Sequence, residues 1–307
     1  SCAGGVRTEA TYTVDEEKLP EGFSTFNLVV KGLTGGHSGD DINKKRANAN
    51  KLLVRFLSEQ SEKTDLRLCD IQAGGLHNAI PREAHATVAV PTAYVATFGE
   101  ELQAFVKKVR DEFSATEPEL TAVIEPVAAA PTCICKEQAE RLLKSLSVVH
   151  NGIFAMSQDL EGLVETSSNL ASVRKHGNQV VATTSQRSSV ASNLEYMASV
   201  VRSAFELGGA KCVTNEGYPG WKMNPKSEIL KVCVDSYKRL FGKEPLVRAI
   251  HAGLECGLFS EKYPHLDMVS FGPTLRGVHS PDERLLIPTV QMVWDHLLDV
   301  LKNVPEK

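Results

Sequence analysis

Between residues 23 and 128 the chain alternates strand-like and helix-like patterns in an order that few folds accommodate. Residues 23–31 (FSTFNLVVK) alternate apolar and polar side chains, as a half-buried strand requires. They run into GLTGGHSG, residues 32–39, where four glycines disfavour a regular element. Residues 43–60 then set Ala49, Leu52, Leu53, Phe56 and Leu57 at helical spacing. Strands are expected at 65–73 and 84–90 across a glycine turn, followed by a helix at 98–113 and a strand at 120–128. The order β-α-β-β-α-β is that of a ferredoxin-like unit.

A similar cadence follows: a helix at 136–149, strands near 163–174 and 178–185, a helix at 189–207 and a strand at 210–214. Together these read as an enlarged α/β sheet domain. The cadence suggests a degenerate duplication, although the two halves share too little sequence identity to establish one. The tail has another character. A helix from Asn224, with Pro225 in its first turn, is expected to end at Gly242. A strand at 246–250, a short glycine-flanked helix, a strand at 266–271 and a helix at 289–303 complete it. Such alternation describes one edge of an α/β sheet with helices on its faces. The junction is 215–223 (NEGYPGWKM), dense in glycine, proline and aromatic residues.

With 307 residues, two domains are the natural expectation. A net charge of -4, with no face or arm dense in Lys and Arg, argues against a nucleic-acid partner. No apolar run is long enough for a membrane span. The opening SCAGGVRTEA lacks the basic head and apolar core of a signal peptide, and a start at Ser1 reads as a processed or partial chain. Seven scattered cysteines do not form a disulfide framework, so a reducing, cytoplasmic setting is expected. The CxC of Cys133 and Cys135 has no second pair and reads as ordinary thiols.

Five residues stand out as chemistry-bearing. His37, in GGHSG, sits between small neighbours after a strand, where an imidazole can reach a ligand oxygen or exchange a proton. The residues alone leave open an incidental histidine in a turn. Asn78, with Arg82, follows a glycine turn and could hold a carboxylate or a carbonyl; a polar turn is the simpler reading. Arg187 ends a strand just before a helix and could meet an anion there, or be a surface arginine. Glu255 opens a short helix and could take a substrate amine, though acidic residues favour helix N-termini for structural reasons. His279, in a loop after a strand, is a suitable zinc ligand that Asp282 or Glu283 could orient. One histidine is not a metal site. His251 reads equally as a packed or a functional residue.

Several strings together carry a resemblance: KGLTGGHSGDDI (31–42), RANANKLL (46–53), GGLHNAIPREA (74–84), SSNLASV (167–173), GYPGWKMNP (217–225), HAGLECG (251–257) and SFGPTLRGVHSPDE (270–283). They resemble the aminoacylhistidine (Xaa-His) dipeptidases, within the dinuclear zinc aminopeptidases, aminoacylases and carnosinases. The resemblance implies an enlarged ferredoxin-like α+β lid or dimerisation domain over residues 23–215. Residues 1–22 and 216–307 would then be pieces of an α/β zinc-peptidase catalytic domain. It implies that His37 stabilises the scissile carbonyl or its oxyanion, that Asn78, Arg187 and Glu255 bind substrate, and that His279 is a zinc ligand. It further implies small peptide substrates, two zinc ions per complete site (other divalent ions could replace them), and a lid through which a homodimer could form.

The chain also departs from that pattern. The HxD ligand pair, bridging Asp and Glu-Glu pair that such enzymes carry upstream of the lid have no counterpart in it, so by itself it is expected to be inactive. A related zinc aminoacylase or amidohydrolase, or a non-catalytic lid module, are the alternatives.

Overall fold

The computed structural model describes residues 1–158, 160–222, 224, 226–276 and 283–304. Its centre is one antiparallel sheet of nine strands. Eight of them form a continuous path: β1 (Gly4–Thr13), β2 (Phe23–Lys31), β3 (Arg67–Gly74), β4 (Ala84–Pro91), β5 (Thr121–Pro126), β6 (Val164–His176), β7 (Gln179–Ser188) and β8 (Lys211–Thr214). Their spatial order is β8-β1-β7-β6-β3-β4-β2-β5, and strand Gly152–Met156 pairs with β6 off this path.

Four helices accompany the sheet: α1 (Ala49–Ser61), α2 (Val95–Glu112), α3 (Lys136–Val148) and α4 (Ala191–Leu207). The expected unit is present as β2-α1-β3-β4-α2-β5. A second unit of the same kind is β1-α3-β6-β7-α4-β8. Numbered within its own unit, each set of strands lies in the order four, one, three, two. The units meet edge to edge where β6 pairs with β3, setting Ser172 opposite Gly74 and Val173 opposite Ala73. The duplication suggested by the cadence is thus a topological fact, and its missing strand is β1. The sequence had grouped this stretch with the segment preceding the lid. Its ten residues instead pair with β7 along their whole length.

Alternation fixes which side of each strand is apolar. Phe26, Leu28 and Val30 of β2, and Ala10 and Tyr12 of β1, enter one continuous core with the inward faces of all four helices. Phe56 sits at its centre, with ring centroids 5.4 Å from Phe98 and 5.2 Å from Phe105. Truncating such a side chain to Ala costs about 3–5 kcal/mol. Helix α1 starts later than its apolar spacing suggests. Asn48 caps it, accepting from the amides of Asn50 and Lys51, and residues 42–44 form a separate short turn. The Asn48 amide nitrogen also donates to Asn169 and to the Leu170 carbonyl, tying α1 to β6. Lys51 donates to the Leu146, Ser147 and Val149 carbonyls at the end of α3, where burial pushes its pKa down to about 8.

The tail holds α5 (Glu228–Phe241), α6 (Glu255–Lys262) and α7 (Pro288–Asn303). Ser227 caps α5 by accepting from the Leu230 amide, and Gly242 closes it in the left-handed region at φ +62°. The strands expected at 246–250 and 266–271 do not form. An extended apolar stretch becomes a strand only beside a ladder partner, and among the described residues Ile250 makes a single bridge, to Cys2. Leu246 is accordingly 78% exposed and Trp294 55%. The tail surrounds an open hollow of about 1080 Å³ lined by Trp221, Leu246, Val247, Leu266 and Phe271. All seven cysteines are free thiols. No helix among the described residues is long and apolar enough to cross a membrane.

Candidate active site

The tail returns to the sheet along a single row of residues. Gly5 of β1, Arg187 of β7 and Ser167 of β6 are cross-strand partners, so their side-chain positions share a face. Ala10, Ala182 and Leu170 enter the core, which places the row on the face away from the helices. Residues 1–5 run between two stretches of the tail. Cys2 exchanges backbone hydrogen bonds with Trp221 at 2.9 and 3.0 Å, Gly5 does so with Tyr218 at 2.9 Å each way, and the Ile250 amide donates to Ser1 at 3.1 Å.

Two side chains from the tail dock on this row. The Tyr218 hydroxyl accepts from Arg187 Nη1 at 2.6 Å, and His251 Nε2 lies 2.7 Å from Ser167 Oγ. Arg187 is 6% exposed and His251 5%, which removes the surface-arginine reading and makes His251 a buried junction residue. Burial and then the Arg187 charge push the pKa of His251 down to about 4, so it is a neutral imidazole near pH 7. Buried Arg187 Nε and Ser38 Oγ have no partner among the described residues, and His251 Nδ1 finds no well-formed hydrogen bond.

His37 approaches from the first unit. Gly36–His37 pairs with Ala79–Ile80 in a two-residue ladder, and the Ser38 amide donates to the Asn78 carbonyl at 2.8 Å. The His37 and Asn78 turns are therefore one structure. Asn169 of β6 pins it by donating to the Ala79 carbonyl at 2.8 Å. The His37 amide donates to Asp41 at 2.8 Å. Burial would raise the pKa of that carboxyl, but Lys44, the His37 amide and the Arg46 charge outweigh it and hold it below the ordinary range. His37 Nδ1 accepts from the Gly39 amide at 3.2 Å and the Asp40 amide at 3.1 Å. An Nδ1 occupied as an acceptor leaves the proton on Nε2, so the ring presents an N–H donor.

Gly39 stands between the two histidines. A Cβ there would lie 2.2 Å from the His251 carbonyl oxygen and 3.1 Å from the His37 ring. His37, the Asn78 turn, Arg187 and His251 thus belong to one neighbourhood at the junction of sheet and tail. Arg82 lies against the His37 loop. Its stem packs under Gly35 and its Nε donates to the Leu33 carbonyl at 3.3 Å, bracing the His37 loop. Glu255 is exposed in the first turn of α6 and makes no hydrogen bond or ion pair with the other candidates among the described residues. His279 lies outside the described residues. No group of three or more His, Cys, Asp or Glu among the described residues could hold a metal ion. Sequence reasoning left His251 undecided and passed over Tyr218 and Ser167. For Ser167 the signal was a run of small polar residues (TSSN, and TSQRS on the neighbouring strand) inside strands that turn out buried.

An imidazole N–H, a buried guanidinium and polar atoms that find no partner among the described residues suit a ligand bearing a carbonyl and a negative charge. Comparison with known proteins narrows this. Residues 21–120 match the peptidase dimerisation domain and coincide with most of the first unit. The chain is 40% identical over 306 residues to the cytosol non-specific dipeptidase of Escherichia coli strain K12, covering 100% of this chain and 63% of that protein. The crystal structure of aminoacylhistidine dipeptidase from Vibrio alginolyticus superposes with a TM-score of 0.90 at 40% identity, covering 100% of this chain and 62% of that one. The chain therefore spans somewhat under two thirds of the length of these relatives.

Proposed function

This chain is a relative, along its whole length, of the cytosol non-specific and aminoacylhistidine dipeptidases, and from that premise we propose that it is the substrate-gripping part of a dipeptidase acting on Xaa-His peptides. The observation that carries the reading is the presence, around His251, of both a His37 ring whose Nδ1 is an acceptor and the buried Arg187.

In this reading Arg187 takes the terminal carboxylate of the peptide. His37 Nε2–H donates to the oxygen of the scissile carbonyl, where negative charge grows as the bond is attacked. A fixed donor at such a position is worth about 10²–10³ in kcat. Asn78, on the turn paired with His37, is assigned to the peptide backbone, and Glu255 to the substrate amine. Zinc, with His279 as one ligand, would supply the activated water. The described residues do not assemble a set of donors for it, so activation of water is not assigned to them. The exposed apolar side chains of the tail, Leu246 and Trp294 among them, suit burial against the third of the relatives' length that this chain does not span. A homodimer through the lid and a cytosolic setting complete the proposal.

The test is hydrolysis of β-alanyl-histidine with and without zinc, using a protein that joins this chain to the remaining third. Zinc-dependent turnover that collapses in His37→Ala is the expected result. A folded, zinc-loaded protein with no turnover on several Xaa-His peptides would overturn the assignment; the 307-residue chain alone is expected to be inactive.

A further inference from the structure

Arg187 is a buried cation, and its only hydrogen bond to a side chain among the described residues is the one to Tyr218. A guanidinium takes a carboxylate best side-on, through Nε and Nη2 together. Nη1 lies on the other edge and here donates to the Tyr218 hydroxyl at 2.6 Å, while Nε is left without a partner. The tyrosine thus holds one edge and leaves the fork without a partner among the described residues.

The place of Tyr218 is set independently of Arg187. Gly217, at φ +72°, turns the chain so that Tyr218 exchanges both backbone hydrogen bonds with Gly5. The phenol then lies in space kept clear by two glycines. A Cβ on Gly5 would fall 2.6 Å from the Tyr218 hydroxyl, and one on Gly253 would fall 2.6 Å from its ring. A ring held by backbone on one side and by absent side chains on two others has little freedom to follow a moving arginine.

We infer that Tyr218 is a positioning residue: its hydroxyl fixes the rotation of Arg187 so that the Nε–Nη2 edge meets the terminal carboxylate of the substrate. The inference rests on the reading that Arg187 binds that carboxylate.

The experiment compares KM and kcat for a dipeptide and its C-terminal amide in the protein with a complete active site. Tyr218→Phe keeps the ring and removes the hydroxyl. It should raise KM for the acid about tenfold with kcat within about twofold, and leave KM for the amide unmoved. Gly253→Ala, which pushes the ring, should shift the acid in the same direction, and it carries the test should Tyr218→Phe fold poorly. Arg187→Ala reports on the underlying reading and should abolish the preference for acid over amide. If Arg187→Ala abolishes that preference while Tyr218→Phe leaves KM for the acid unchanged, the positioning role is overturned and the arginine reading stands. If Arg187→Ala keeps the preference, both are overturned. Equal losses on acid and amide in Tyr218→Phe would show a merely structural tyrosine and also overturn the inference.

Discussion

His251 Nε2 stands 2.7 Å from Ser167 Oγ, a contact between residues 84 positions apart that locks the tail onto the sheet two strands from Gly5. Both side chains are almost wholly buried. The junction therefore depends on an imidazole that stays neutral.

That dependence has a sign. The folded-state pKa of His251 is pushed down to about 4 by burial and the Arg187 charge, against about 6.5 in an unfolded chain. Between those values the unfolded state binds the extra proton, so stability is lost as pH falls from about 6.5 to about 4, by roughly 3 kcal/mol in all. Asp41 and Asp65, whose pKa values are held low, lose their contribution as pH falls through the ordinary carboxylate value and below, so the upper part of the window, from about 6.5 to about 5, reports on His251. Urea denaturation at steps across this window should show the decline in the native protein, and His251→Asn should flatten it. An unchanged pH slope in the variant would refute the assignment.

Gly39→Ala places a methyl group 2.2 Å from the His251 carbonyl oxygen and 3.1 Å from the His37 ring. Something must shift, and because Gly39 belongs to the His37 loop, a shift of that loop moves the imidazole. A displacement of about 1 Å at a reacting centre costs about 10²-fold in rate. Steady-state kinetics should show that loss in kcat, with a smaller change in KM.

Arg187→Met should separate stability from activity. Burying a charge without a counter-charge is expensive, and replacing it with an apolar side chain of similar length is often neutral or stabilising by about 1–4 kcal/mol. Chemical denaturation is expected to show equal or greater stability, while KM for dipeptides rises. A loss of more than about 2 kcal/mol with KM unchanged would mean that the guanidinium is needed for folding and not for substrate.

Gly74 ends β3 at the seam between the two units, with φ +74° and room for no side chain: a Cβ would lie 2.0 Å from the Ala171 carbonyl oxygen. Gly74→Ala combines strain with a clash at the contact that makes two sheets one. A destabilisation greater than about 2 kcal/mol, measured by urea denaturation, is expected.

Much of this architecture was legible beforehand because its determinants are local. The period-two apolar pattern of residues 23–31 and the helical spacing of Leu52, Leu53, Phe56 and Leu57 depend only on which side of an element meets the core. The glycines around His37 announced a turn for the same reason: Gly35 and Gly36 take positive φ values of +64° and +136°. The tail was less legible. Residues 246–250 and 266–271 have the composition of strands, yet strand formation depends on a partner that local pattern cannot supply.

Sequence by itself determined the elements of both units, the glycine-framed His37 loop and the resemblance that pointed to peptide hydrolysis. Only the tertiary structure decided that β1, separated from α3 by the whole first unit, is the first strand of the second. It alone set Arg187 beside Tyr218 and Ser167 beside His251. Helix and strand periodicity are written in neighbouring residues. Pairing across the sheet depends on register and on burial of the other face, both settled only when distant segments close on one another.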